Sequence, residues 1–226
     1  MLNPKDTEKA IKLTKDTFEK ELSSSLRLTR LTSPLFVASG SGINDDLNGV
    51  EKPVGFSVSA LGGRKMEIVQ SLAKWKRMAL ADYGYPKGRG IYTDMNALRP
   101  DDTVDAIHSV YVDQWDWEKV IGDEERTLEC LKTTVEDIYA ALKRTSFLLS
   151  ETYSILEDYL PERITFIHSE DLEKEYPSLT PQQREREAAK EYGAVFIIGI
   201  GYPLKDGIPH SLRAPDYDDW STETSE

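Results

Sequence analysis

Cysteine is almost absent from this chain. Cys130 stands alone, so no internal disulfide can form, which suits a reducing cytoplasm. Cys130 falls on an expected amphipathic helix, where a thiol reads as a small inert hydrophobe rather than a nucleophile. Histidine is nearly as scarce: His108, His168 and His210 lie far apart without metal-ligand spacing. Each therefore reads as structural or exposed. No apolar run approaches the roughly 20 residues of a membrane span, and MLNPKDTEKA at the start carries no hydrophobic signal region. The expectation is a protein with no membrane partner. Positive charge is in deficit, with 28 Lys and Arg against 40 Asp and Glu, a net charge of −12. Such a surface repels nucleic-acid backbones, which argues against tRNA binding. It does not exclude a nucleotide, because a local Arg/Lys cluster can hold a polyphosphate. Repeats are missing too, and only residues 221–226, STETSE, are of low complexity, with a disordered tail expected there.

What is present fits one globular domain over residues 1–220 of the 226, with 39% hydrophobic and 30% charged residues. Asn3-Pro4-Lys5-Asp6 is a helix start, and Ala10, Ile11, Thr14, Phe18 and Leu22 mark one face of a helix to about Leu22. Residues 26–31 follow as a strand broken at Ser33-Pro34, and residues 35–38 resume extended structure. Residues 39–50 have loop composition and contain Asp45 and Asp46, which by themselves read as solvated turn residues. Residues 54–58 and 65–69 read as strands around a Gly62-Gly63 turn, a hairpin rather than a phosphate cradle. A helix over 71–83, with Ser71 as its cap, carries the basic cluster Lys74, Lys76 and Arg77. That cluster is either a solvated face or an anion site. A long amphipathic helix over about 124–153 should pack against a sheet. RITFIH at 163–168 is a strand. Thr180-Pro181, with Gln183 at capping-box spacing, starts a helix ending near Gly193. AVFIIGI at 194–200 lacks alternation and reads as a central strand covered on both sides.

The chain is organised around residues 90–118, which read as two strands joined by a loop. The first carries Ile91, Tyr92, Met95 and Leu98 and ends at Arg99-Pro100. The second, residues 108–117, alternates. Val110, Val112, Gln114 and Asp116 fall on one face, and Tyr111, Asp113, Trp115 and Trp117 on the other. An arginine, an amide and a carboxylate gathered on one rigid hairpin make a grip for a small molecule. Read without further context, polar residues on such a face can equally mean that the face is wet. Asp216, Asp218 and Asp219 read as an acidic turn or a metal cluster.

Four strings carry a resemblance: Arg99-Pro100-Asp101, YVDQWDWE at 111–118, SLAKWKR at 71–77 and RAPDYDDW at 213–220. They closely resemble the ammonia-dependent asparagine synthetase family (aspartate–ammonia ligase, type A), over nearly the whole chain. The resemblance implies an α+β fold like that of the class II aminoacyl-tRNA synthetases, a mainly antiparallel sheet flanked by helices. The hairpin would be the second class II motif. The first helix and strand would be the first motif, which implies a homodimer. It implies ATP-dependent amidation of L-aspartate by ammonia through β-aspartyl-AMP, with Mg²⁺ on the phosphates. Arg99 would bind the α-phosphate, Lys76 a substrate carboxylate, and Gln114 would orient the substrate. Asp45, Asp116 and Asp218 are candidates for the substrate ammonium, Ser71 lies with Lys76 in the substrate pocket, and Tyr217 would pack on adenine. Glutamine is not the expected nitrogen donor, for want of an N-terminal cysteine. The resemblance departs after Trp220, where the family's third motif, a glycine-rich segment with an arginine, has no counterpart. The expectation is a C-terminally truncated family member. The alternative is a non-catalytic remnant that dimerises or binds an amino acid.

Overall fold

The computed structural model describes residues 2–45, 47, 51–101, 103–106, 108–205 and 207–211. These fall into two compact units, one built from residues up to Leu26 and from Gly122 onward, the other from Arg27–Ile121.

In the first unit, α1 (Pro4–Leu26) starts at Asn3, whose Oδ1 accepts the Asp6 N–H at 2.9 Å. It runs four residues past the expected end at Leu22. The serines at 23–25 do not stop it, because Leu26 is fully buried and Ser23 Oγ bonds back to the Lys20 carbonyl. Helix α3 (Leu128–Thr152) starts four residues later than expected. Residues 123–125 form a 3₁₀ turn, and Thr127 Oγ1 caps the helix by accepting the Cys130 N–H at 3.2 Å. Helix α3 packs on α1 rather than chiefly on a sheet, and it buries Val135, Tyr139, Ala141 and Thr145. Leu142, expected on the buried face, is exposed. Arg144 joins the two helices through Glu21 and Ser25.

Strand β7 (Thr165–His168) runs directly into α4 (Ser169–Glu175), a short helix absent from the sequence reading. Helix α5 (Pro181–Tyr192) carries the expected capping box: Thr180 Oγ1 accepts from Gln183 N–H, and Gln183 Oε1 from Thr180 N–H. Strand β8 (Val195–Ile198) pairs in parallel with β7. Among the described residues this is a two-stranded sheet, so β8 is not the central strand expected. Only Ile198 is buried, and the other three residues are half-buried. An unalternating apolar run marked apolar surroundings but not a second strand neighbour.

The second unit contains two three-stranded sheets. Strand β1 (Leu28–Arg30) lies parallel to β5 (Gly90–Leu98), which pairs antiparallel with β6 (Tyr111–Lys119) over nine residues. The expected hairpin is therefore present, displaced at its second strand from 108–117 to 111–119. Gly90 cannot be replaced freely, since a Cβ there would sit 2.3 Å from the Glu118 carbonyl oxygen. The other sheet has β4 (Arg64–Ile68) between β2 (Phe36–Ala38) and β3 (Gly55–Val58), both antiparallel. Gly62 and Gly63 turn the β3–β4 hairpin with φ of 66° and 80°. Helix α2 (Ala73–Asp82) lies against β5 and β6. Core residues Val37, Val69, Leu72, Met95 and Ala97 form one cluster, and Ala79, Leu80 and Ile91 another. The inward face of β5 is thus Ile91, Thr93, Met95 and Ala97, all buried.

Candidate active site

Directly opposed residues of an antiparallel pair point to the same face. Met95 opposes Gln114, Thr93 opposes Asp116 and Ile91 opposes Glu118. The inward face of β5 therefore continues on β6 as Gln114, Asp116 and Glu118, toward α2. The expected alternation puts Gln114 and Asp116 together there, and the same alternation marks Glu118 one repeat beyond the expected strand end.

Lys76 on α2 is fully buried, and its Nζ donates to Asp116 Oδ2 at 2.5 Å. Such a charge is tolerable only beside an opposite one. The other two cations of α2 are also matched. Arg77 Nε lies 3.6 Å from Glu118 Oε1, and Lys74 Nζ lies 3.9 Å from Asp45 Oδ1. The basic cluster is thus only partly solvated, with Lys76 buried, Lys74 half-buried and Arg77 exposed. It is neutralised by acids from β6 and from the loop before residue 46, and an anionic ligand must compete with them. Burial pushes the Glu118 carboxyl above the ordinary carboxylate range. Arg77 and Lys76 oppose that shift, while Asp116 and Asp45 add to it.

Asp45 is buried, and its Oδ2 accepts the N–H of Ala73 at 2.8 Å. This carboxylate meets the first turn of α2, where backbone N–H groups are otherwise unpaired. Ser71 is not the cap: the capping position is Leu72, with no side-chain bond. Ser71 is instead buried beside the site. Asn44, also buried, straps the loop to the β4–α2 segment. Its Nδ2 donates to the Ile68 carbonyl at 3.1 Å, and its Oδ1 accepts the Gln70 N–H at 2.9 Å. Gln114 Nε2 donates to the Gln70 carbonyl at 3.4 Å. No local pattern announces Asn44 or Gln70, because their role depends on two loops meeting.

Arg99 is half-buried, and its N–H donates to the Val110 carbonyl at 2.8 Å, extending the hairpin past Leu98. Its Nε is buried with no hydrogen-bond partner. Continuing the β5 alternation puts Arg99 on the face of Met95 and Gln114, four residues further along, or about 13 Å at the rise of a strand. It therefore stands at the loop end of the site, not against Lys76. Asp101 steadies the loop by accepting the Lys52 N–H at 3.1 Å. Tyr217 and Asp218, with Asp216 and Asp219, lie outside the described residues. Among the described residues no group of three or more His, Cys, Asp or Glu is placed to hold a metal ion. No helix of the described chain is long and apolar enough to cross a membrane.

The fold is that of the class II aminoacyl-tRNA synthetases, as solved structures show. Asparaginyl-tRNA synthetase from Pyrococcus horikoshii, complexed with asparaginyl-adenylate, superimposes with a TM-score of 0.64 at 14% identity, over 86% of this chain and 45% of that one. The Entamoeba histolytica asparaginyl-tRNA synthetase, also with asparaginyl-adenylate, gives 0.57 at 12% identity, over 90% of this chain and 45% of that one. Sequence comparison is more specific. A family model described as aspartate-ammonia ligase matches residues 5–224, and the chain belongs to that family. A protein of Parabacteroides distasonis named aspartate–ammonia ligase is 56% identical over 98% of this chain and 64% of its own length. One of Ruminiclostridium cellulolyticum with the same name is 57% identical over 95% of this chain and 64% of its own. The chain thus spans about 64% of the length of these relatives.

Proposed function

We propose that this chain carries the aspartate-activating part of an aspartate–ammonia ligase, which makes L-asparagine from L-aspartate, ammonia and ATP. The observation that carries the reading is the buried Lys76 paired with the half-buried Asp116 beside Gln114 on the inner hairpin face, in a chain of this family. Carboxylate and ammonia do not condense in water, because a carboxylate is a poor electrophile. In the first step a side-chain carboxylate oxygen of aspartate attacks the α-phosphorus of ATP. The bond to the β-phosphate oxygen breaks, and pyrophosphate leaves. In the second step the nitrogen of ammonia attacks the acyl carbon of β-aspartyl-AMP. The acyl–oxygen bond breaks, AMP leaves, and the nitrogen sheds a proton.

The first step brings two anions together, so cations must stand where they meet. Arg99, at the loop end, binds the α-phosphate through its planar fork and offsets charge that grows in the transition state. Lys76 trades part of its contact with Asp116 for a substrate carboxylate, and Asp116 then serves the substrate ammonium. Asp45 offers a second carboxylate, and Ser71 and Gln114 orient the substrate by hydrogen bonds. Tyr217 against adenine and Asp218 near the ammonium complete the assignment. Mg²⁺ would shield the phosphates, but the described residues provide no cluster of acids to cage it, and no step here runs through it. Pairing of two copies through α1 and β1 belongs to the same proposal.

Protein, Mg-ATP, L-aspartate and ammonium should together yield AMP, pyrophosphate and asparagine. Absence of all three from well-folded protein would sink the reading. Arg99→Ala should lower turnover about 10²- to 10³-fold, and near-normal turnover would remove Arg99 from the chemistry.

A further inference from the structure

Two buried polar atoms near α2 have no hydrogen-bond partner, and they are of opposite kinds. Asp45 Oδ1 is an anionic acceptor, 3.9 Å from the Lys74 ammonium. Gln70 Nε2 is a neutral donor on a side chain that is almost wholly buried. Leaving a buried amide unbonded is costly, and buried polar groups are nearly always paired. Hydrogen bonds tie together the two segments that carry these groups. Asn44 binds both sides of residue 69, at the Ile68 carbonyl and the Gln70 N–H, and the next residue, Asp45, caps Ala73. Gln70 is fixed again at its carbonyl by Gln114.

We infer that Gln70 is a ligand-binding residue of this site, its side-chain amide donating to a carboxylate of a zwitterionic amino acid whose ammonium is taken by Asp45. The inference rests on the aspartate-binding reading above and deepens it, adding a neutral donor for a carboxylate while Asp45 selects for the ammonium that a simple dicarboxylate lacks. A neutral amide suits the task, since the site already holds Lys74, Lys76 and Arg77. A further cation there would demand a further acid.

Titration calorimetry with L-aspartate and with succinate, which lacks the ammonium, tests this on the full chain. The wild type should bind aspartate well above succinate. Gln70→Glu, nearly the same shape but an acceptor, should weaken aspartate binding about 10- to 100-fold. Gln70→Asn, which keeps a donor, should retain more affinity than Gln70→Leu. Unchanged affinity in Gln70→Glu and Gln70→Leu, with aspartate still bound by the wild type, overturns the role of Gln70 alone. No aspartate binding by the folded wild type overturns the broader reading as well. If the substitutions unfold the protein, the wild type still decides. The side-chain NH₂ signals of Gln70, assigned by NMR, should shift on adding aspartate, and signals that stay put overturn the inference.

Discussion

A lysine ammonium sealed from water needs a carboxylate, and Lys76 has Asp116. Replacing one member of such a pair leaves the other's charge stranded. Lys76→Met should therefore cost about 3 kcal/mol of stability, read from urea unfolding at neutral pH. A loss under about 0.5 kcal/mol would mean that the ammonium is not confined as described. Glu118 makes the opposite case, because burial raises its carboxyl pKa above the ordinary glutamate value of 4.5. The folded protein then holds this proton to higher pH than the unfolded chain does. Stability from this group is highest below about pH 4.5 and falls as pH rises through the folded value. Glu118→Gln should thus raise the melting temperature at pH 8 and leave it nearly unchanged at pH 4. A gain equal at both values would show that Glu118 carries no such shift. At this scale the sequence disclosed Gln114 and Asp116 through alternation alone. Glu118 was within reach of the same rule. Gln70 was not, because nothing in VQSLAK says that an asparagine 26 residues earlier will pin its N–H.

Elements whose signals are local were legible. Thr180, Pro181 and Gln183 announce α5 within four residues, and the capping box is there. Thr180→Ala should cost about 1 kcal/mol by chemical denaturation, and a neutral result would mean that the cap contributes nothing. Elements finished from a distance were not legible. The first turn of α2 takes its carboxylate from Asp45, 28 residues back, so the expectation of Ser71 as cap failed. Helix α4 is only seven residues long and follows β7 without a break, leaving no period to read. Strand β8 showed its apolar character but not its number of neighbours. The Asn44 strap belongs to this scale too. Asn44→Ala removes two bonds that join a loop to the β4–α2 segment and should cost about 2 kcal/mol. It should also weaken aspartate binding by displacing Asp45 and Gln70 together. Calorimetry of a folded Asn44→Ala protein showing wild-type affinity would contradict the strap.

At the scale of the molecule, the fold was legible because long strings such as YVDQWDWE and RAPDYDDW constrain a family far more than composition does. Composition set limits instead: a net charge of −12 disfavours nucleic acid and leaves room for a small anion held by local cations. Those cations each face an acid: Lys74 meets Asp45, Lys76 meets Asp116 and Arg77 meets Glu118. A site arranged this way can exchange an internal carboxylate for a substrate's without gathering unbalanced charge. The most direct measurement follows the oxygen atoms. With L-aspartate carrying ¹⁸O in its side-chain carboxylate, plus Mg-ATP and ammonium, one labelled oxygen should appear in AMP and the other in asparagine. Label recovered in inorganic phosphate alongside ADP, or AMP formed without label, would contradict attack by the aspartate side chain on the α-phosphorus.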